Sequence, residues 1–464
     1  MSKTTPELEY RARNCWDVYA SAADRKAVED AAKGYMDFLS RCKTERESVD
    51  YILAAAAKAG FGAELTPRSK TWVRVQRGKT VLLARRGRKP LAEGFRLVGA
   101  HVDTPRIDLK QHPLYEDTDL GLMKTHYYGG IRKHQWLARE LALHGVVVKK
   151  DGTVVKVCVG EEPGEPVLTI TDLLPHLAYK QVEQKLADAF DAEKLNPLVG
   201  HEPADRGDAG KAKDKDRVRR NVLALLYKRY GVCEEDLFSA ELQLVPAGPA
   251  REVGLDRSMI GGYGHDDRSS VYTALCAILA EKTPEHTQLA LFWDKEEIGS
   301  EGATGAQSLF FEYALQELID AWEPKTRIAR VFERGMAISA DVSAALDPDH
   351  AEVYEKLNAA YLGYGPCFNK FTGHRGKVGA NDAHPEFIAV LRDILARAGV
   401  PWQMSELGRV DIGGGGTVAK HLAVYGMDVI DMGAAVLSMH SPFEVVSKVD
   451  IHATTQAFRA FFRS

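Results

Sequence analysis

Cysteine is scarce and scattered in this sequence. The six thiols, Cys15, Cys42, Cys158, Cys233, Cys276 and Cys367, occur without CxxC or CxxH spacing. That pattern excludes a zinc knuckle and a disulfide frame, and it fits reduced thiols in a cytoplasmic protein. Long apolar runs are missing too: no stretch approaches the ~20 residues of a membrane span. The opening Met-Ser-Lys-Thr-Thr-Pro-Glu lacks the apolar core of a signal peptide. Charge of one sign is also lacking, with a formal net charge of -4 over 464 residues. A nucleic-acid partner is therefore not expected, nor is a membrane. What remains is a chain 45% hydrophobic and 27% charged, the balance of a globular protein. Its length suits about two or three domains.

One stretch stands out against this ordinary background, Leu291-Phe-Trp-Asp-Lys-Glu-Glu-Ile-Gly-Ser300. The hydrophobic run from Leu289 to Trp293 reads as a buried strand, and it delivers Glu296 and Glu297 to its end. Two adjacent carboxylates repel, and burial raises that cost. Solvent, a counter-cation or a metal with an acid–base role would each relieve it. The same pattern recurs elsewhere. Gly94–Ala100 is a short buried-strand pattern ending in His101-Val-Asp103, and Met336–Ala340 is an apolar run ending in Asp341. Met439-His440-Ser-Pro442 ends another segment. In an open α/β sheet, ligands collect at the carboxyl ends of strands. Residues i and i+2 of an extended segment point the same way, so Asp103 can stand beside the His101 imidazole.

The segments between these strand ends read mainly as helices. Val28, Ala31, Ala32, Tyr35 and Leu39 share one helical face, and Thr44-Glu-Arg-Glu47 is a capping box. Thr71–Arg85 has strand character with a turn at Arg77-Gly78. Gly264-His-Asp-Asp-Arg268 precedes a helix over 269–280, where Asp266 and Asp267 suit the positive end of its dipole. His384-Pro385 opens a helix that stops at Gly399. The glycine loop through Gly413, Gly414, Gly415 and Gly416 lacks P-loop spacing, and it would let a substrate approach the backbone closely. From about Ile107 to Val245 the pattern turns to alternating strands. A hairpin signal stands at Lys149–Gly152, and a charge-dense run over Asp205–Arg220 reads as a solvated loop. The division expected is a discontinuous α/β domain over 1–106 and 250–464, with a β-rich domain over 107–249 inserted.

Two histidines (His101, His440) and three carboxylates (Asp266, Glu297, Asp341) suit a pair of zinc-like ions bridged by one carboxylate, at a separation of about 3.5–4 Å. His101-Val-Asp-Thr-Pro-Arg, Gly264-His-Asp-Asp-Arg, Asp294-Lys-Glu-Glu-Ile-Gly-Ser300, Ser339-Ala-Asp341 and Met439-His-Ser-Pro442 resemble the ordered motifs of the aspartyl aminopeptidase (M18, aminopeptidase I type) metallopeptidases. Thr125-His-Tyr-Tyr-Gly-Gly130 and Ile170-Thr-Asp-Leu-Leu-Pro-His-Leu177 extend the resemblance to almost the whole chain.

That resemblance implies a zinc-peptidase-like α/β/α catalytic domain with an inserted β-rich dimerisation domain. It also implies a dodecameric tetrahedral shell built from dimers. His101 and Asp341 would complete one ion's site, Glu297 and His440 the other, and Asp266 would bridge, although sequence alone does not choose between Asp266 and Asp267. Glu296 would be the general base, and Asp103 the acid that orients His101. The cofactor would be two divalent ions, zinc or else cobalt or manganese. The substrates would be peptides with a free N-terminus. Lys377 falls where a basic residue could read an acidic N-terminal side chain, against a broad or Leu/Met preference. His176, in the inserted domain, could reach a neighbour's site in an oligomer. The remaining alternatives are a carboxypeptidase or deacylase on the same scaffold, a shell-forming or cargo protein with incidental peptidase activity, and a nucleotide-binding glycine loop.

Overall fold

A computed structural model describes residues 8–204 and 215–464. The first seven residues lie outside it, as does 205–214 of the run read as a loop. The rest of that run departs from expectation, because a helix begins at Arg217 and continues to Tyr230. Val218 and Val222, one turn apart, are buried, and Val222 joins Leu114 and Met123 in a small apolar cluster. That apolar face outweighs the basic residues around it.

By internal contacts the chain forms two compact units. The first comprises the described residues up to Asp103, together with Arg251–Met439 and Glu444–Ser464. Its main sheet has eight strands: β1 Thr71–Gln76, β2 Thr80–Arg85, β3 Phe95–His101, β4 Thr287–Trp293, β5 Met336–Ser339, β6 Cys367–Asn369, β7 Gln403–Met404 and β8 Asp428–Gly433. Their spatial order is β1-β2-β4-β3-β5-β8-β6-β7. The run β4-β3-β5-β8 is parallel, flanked by antiparallel β2 and β6.

Every residue of β3 and β4 is buried, as parallel strands covered on both faces require. Leu97, Leu289, Leu291 and Trp293 pack with Phe310, Phe311, Leu315 and Leu318 of the helix Phe310–Trp322. The intervening Val98, Ala100, Ala290 and Phe292 are equally buried. Helices α1 (Ala22–Arg41), α2 (His265–Ala280) and α3 (Lys448–Arg463) pack on one another, and α2 and α3 pack on β3. The Thr44–Glu47 capping box forms as read from the sequence.

This register fixes where the strand ends meet. Trp293, the last residue of β4, lies directly opposite His101, the last residue of β3. On the other side of β3, β5 ends at Ser339, two residues before Asp341. A second sheet of the same unit runs Arg251–Val253, Met259–Gly262, Glu444–Ser447, Ala435–Leu437, Ser343–Ala344. It places Gly262 opposite Glu444, just before the Gly264–Arg268 loop.

The second unit is made of the described residues of Thr104–Ala250 together with His440–Phe443. It is built on a six-stranded, wholly antiparallel sheet ordered Val154–Val159, Leu141–Val148, Ala240–Pro246, Arg106–Asp117, Leu120–Tyr128, Leu198–Gly200. The hairpin at Lys149–Gly152 closes with Gly152 at φ 85°, the left-handed conformation that turn needs.

Candidate metal centre

His101 is almost wholly buried at the end of β3. Its Nδ1 lies 3.0 Å from the Asp103 carbonyl oxygen and 3.3 Å from the Asp103 carboxylate. A proton on Nδ1 satisfies both acceptors, which leaves the Nε2 lone pair facing outward. Yet Nε2 faces Asp266 Oδ1 at 3.2 Å and Asp341 Oδ1 at 3.9 Å. A lone pair aimed at two carboxylates is repulsive unless a proton or a cation lies between them. The protonation energetics state the same deficit. Burial opposes a charge on His101, but Asp103 and Asp266 outweigh it and hold the imidazole well above its ordinary value. Burial, reinforced by Asp266 and Asp267, pushes the Asp341 carboxyl well up. Burial does the same to Asp267, against the pull of His101.

A divalent cation fits this donor set. The ligand atoms of His101, Asp266 and Asp341 lie within 4.8 Å of one another, as do those of His101, Glu296 and Glu297. Donors about 2.1 Å from a tetrahedral ion are separated by roughly 3.4 Å, close to the His101 distances above. One imidazole nitrogen with carboxylate oxygens is zinc-type chemistry.

The Glu296-Glu297 pair is held by its backbone. Lys295 at φ 71° and Gly299 at φ 97° bend the chain after β4 into a single 3-10 turn. The Glu296 N–H donates to Asp103 Oδ1 and the Glu297 N–H to Asp103 Oδ2, both at 3.1 Å. One buried carboxylate therefore orients the imidazole and fixes both glutamates, a wider role than the orienting one read from the sequence. Behind this turn the Thr304 hydroxyl donates to Asp294 at 2.7 Å. Burial, then Glu45 and Asp103, push the Asp294 carboxyl up to about 6.

The Gly264–Arg268 loop supplies the third wall. Gly264 has φ 80°, and a Cβ there would collide with the Arg268 guanidinium. Fully buried Arg268 donates to the carbonyls of Cys42, Tyr263 and Gly264. Asp266 and Asp267 keep non-helical backbone angles at the start of α2. The two aspartates, equivalent by sequence, divide. Asp266 faces the imidazole, whereas Asp267 Oδ2 accepts the backbone N–H of His101 at 3.3 Å. The Asp266 N–H donates to Glu444 Oε2 at 3.0 Å, and Glu444 is completely buried. Glu444 was not singled out from the sequence, where Ser-Pro-Phe-Glu-Val-Val carries no mark of a buried acid.

His440 belongs to the second unit, its Nδ1 3.0 Å from the Gly130 carbonyl oxygen. Lys377, about half exposed, is 3.2 Å from Asp382 and 3.9 Å from the centre of the Phe371 ring. Gly414 and Gly415 pair with Gly373 and His374, and a Cβ on Gly414 would sit 2.3 Å from the Gly373 carbonyl oxygen. That backbone pairing accounts for glycine at 414 without a ligand. His176 is exposed on the turn Pro175–Leu177 of the second unit. All six cysteines are free. No described helix is long and apolar enough to cross a membrane.

Comparison with known proteins gives the family. The family model described as aminopeptidase I zinc metalloprotease (M18) matches residues 38–462. A probable M18 family aminopeptidase 1 from Clostridium acetobutylicum is 46% identical over 97% of this chain and 98% of its own length. The crystal structure of an M18-family aminopeptidase from Thermotoga maritima superposes with a TM-score of 0.92 at 43% identity, covering 98% of this chain and 100% of that one. A dodecameric aminopeptidase structure from S. cerevisiae, mApe1, shares the fold at 22% identity, with a TM-score of 0.74 over 94% of this chain and 96% of that one. With a family match over most of the chain and curated relatives above 40% identity, the chain belongs to the M18 family of zinc metallopeptidases and is a metallo-aminopeptidase.

Proposed function

We propose that the centre holds two divalent ions, zinc first among them, and that it removes single residues from peptides bearing a free N-terminus. His101 and Asp341 would serve one ion, Glu297 and His440 the other, with Asp266 bridging. The observation that carries this is the His101 Nε2 lone pair aimed at Asp266 and Asp341, with Glu296 and Glu297 donor atoms also close to a His101 nitrogen. Bound there, such ions would lower the pKa of a water to about 7 and polarise the scissile carbonyl.

The chain's own residues do the rest. Asp103 holds the Nδ1 proton of His101 and so keeps Nε2 available as a donor atom. It also fixes the Glu296 backbone, which sets where that carboxylate can reach. Glu296 takes a proton from the attacking water and passes it to the nitrogen of the departing peptide. Glu296→Gln keeps the shape of the side chain and removes the base. The expected result is a full metal complement with activity on free-amine dipeptides reduced by about 10²–10⁴-fold. Near-normal turnover would sink the assignment. Peptides with a blocked N-terminus should not be cleaved; cleavage of those would point to a carboxypeptidase or deacylase.

The preferred N-terminal residue turns on Lys377. Its ammonium is matched by Asp382 and lies over Phe371, which supports a broad or Leu/Met preference over Asp/Glu. A dipeptide panel with strong Asp/Glu selectivity, abolished by Lys377→Ala, would reverse that reading.

The second unit carries the support for assembly. Leu173, Leu174, Leu177, Tyr179, Val182 and Leu186 are between 47% and 80% exposed within one short segment. So dense an apolar surface marks an interaction site, and a further copy of this chain is the proposed partner. In that reading the second unit is the oligomerisation domain of a tetrahedral dodecamer. His176, within the same segment, would then approach a neighbouring active site.

A further inference from the structure

We infer that Glu444 is a positioning residue for the metal centre, one that sets the orientation of Asp266 through its backbone. The inference rests on Asp266 being a metal ligand, as proposed above.

Glu444 opens the strand Glu444–Ser447 and is completely inaccessible to solvent. A carboxylate buried beside Asp266 and Asp267 is expensive, because like charges in a low-dielectric setting disfavour ionisation of them all. A glutamate kept at such a place needs a compensating bond. Glu444 Oε2 accepts the Asp266 N–H at 3.0 Å, across 178 residues of sequence. The start of α2 explains why that amide needs a partner from elsewhere. Its N-cap is Gly264, which has no side chain to satisfy the first amides of the helix. Asp266 and Asp267 also depart from helical angles, so the local chain does not hold Asp266 by itself. The strand pairing that sets Gly262 opposite Glu444 delivers the missing acceptor.

The bond matters because of what hangs from the same residue. The Asp266 carboxylate faces His101 Nε2 at 3.2 Å. Its χ angles start from a backbone held at one end by Glu444. At the other end, the Asp267 carboxylate is bonded to the His101 backbone. Removing the Glu444 acceptor leaves a buried N–H without its partner and frees the Asp266 backbone to rotate. Partners of this kind beyond the ligands themselves typically contribute 10–100-fold in metal affinity.

The test is a chelator-competition titration of zinc on the full-length protein, with kcat and KM for a free-amine dipeptide measured alongside. Glu444→Ala is expected to bind zinc about 10–100-fold more weakly, with kcat lowered at saturating zinc and KM little changed. Glu444→Gln retains an amide oxygen at the same reach and is expected to restore affinity to within a few-fold. If Glu444→Ala does not fold, Glu444→Leu fills the same space without an acceptor and should show the same loss. Wild-type zinc affinity in the Ala or Leu variant would overturn the inference. So would equal losses in Gln and Ala, since charge rather than the hydrogen bond would then be at work. Asp266→Asn separates the two levels. If it too binds zinc normally, the metal-site reading fails; if it alone loses zinc, only the role of Glu444 fails.

Discussion

The two units carry opposite anomalies. In the first, charge is inside: His101, Asp103, Asp266 and Asp267 are buried at the carboxyl end of an otherwise apolar sheet. In the second, apolar surface is outside: Leu177, Tyr179 and Val182 are each at least 66% exposed. Each arrangement is costly for an isolated chain, the one through desolvated like charges and the other through hydrated hydrocarbon. Each therefore implies a partner of a definite kind. Buried anions around one imidazole call for a cation, and an exposed apolar segment calls for a protein surface. Neither anomaly would be relieved by the other's partner, so the two should respond independently to mutation.

The largest expected effect strikes the charged region. Asp103→Ala removes the acceptor for two backbone amides and the carboxylate partner of His101 Nδ1 together. Zinc affinity should fall by about 10–100-fold, read by chelator competition, while the particle mass stays unchanged. Asp103→Asn should rescue little, because both carboxylate oxygens accept an amide and Asn offers only one oxygen. A fully active Asn variant would show that the clamp on Glu296 and Glu297 is dispensable.

The next effect strikes the apolar region alone. Leu177→Glu combined with Val182→Glu places charges on the exposed segment, and light scattering should report a smaller particle that still binds zinc. An unchanged mass would remove this segment from the interface. Full activity in the dissociated form would dismiss His176 as a shared residue.

The smallest effect is a control that lies in neither region. Asp450 is buried in α3, where its two oxygens accept the amides of Gly363 and Gly365. Burial outweighs those bonds and pushes its carboxyl up to about 7. A carboxyl raised in the folded state contributes stability that is full below its ordinary 3.8 and is lost as pH rises through about 7. Melting temperatures from pH 5 to 8 should fall through that window, and Asp450→Asn should flatten the fall while lowering stability throughout. An identical slope in the variant would assign the titration elsewhere.

Much of the first unit was legible because its chemistry sits where apolar runs stop. His101, Glu297 and Asp341 each follow such a run, and the Thr44–Glu47 box and the hairpin turn at Gly152 are local signals that local physics enforces. What sequence could not carry was non-local. Periodicity marks β4 as a buried strand but does not place it between β2 and β3. It does not separate Asp266 from Asp267, which meet the imidazole and the backbone N–H of His101 at the end of a distant strand. Glu444 and Asp450 look like surface acids in a strand start and an amphipathic helix, and only the fold reveals the amides they serve. The helix from Arg217 was hidden because its charged residues outnumber the two valines that anchor it.

The division of labour between the adjacent glutamates is the centre of this reading, and elemental analysis of two dialysed variants side by side tests it most directly. Glu296→Gln should retain the wild-type metal complement, and Glu297→Ala should lose metal. Equal metal content in the two variants would contradict it.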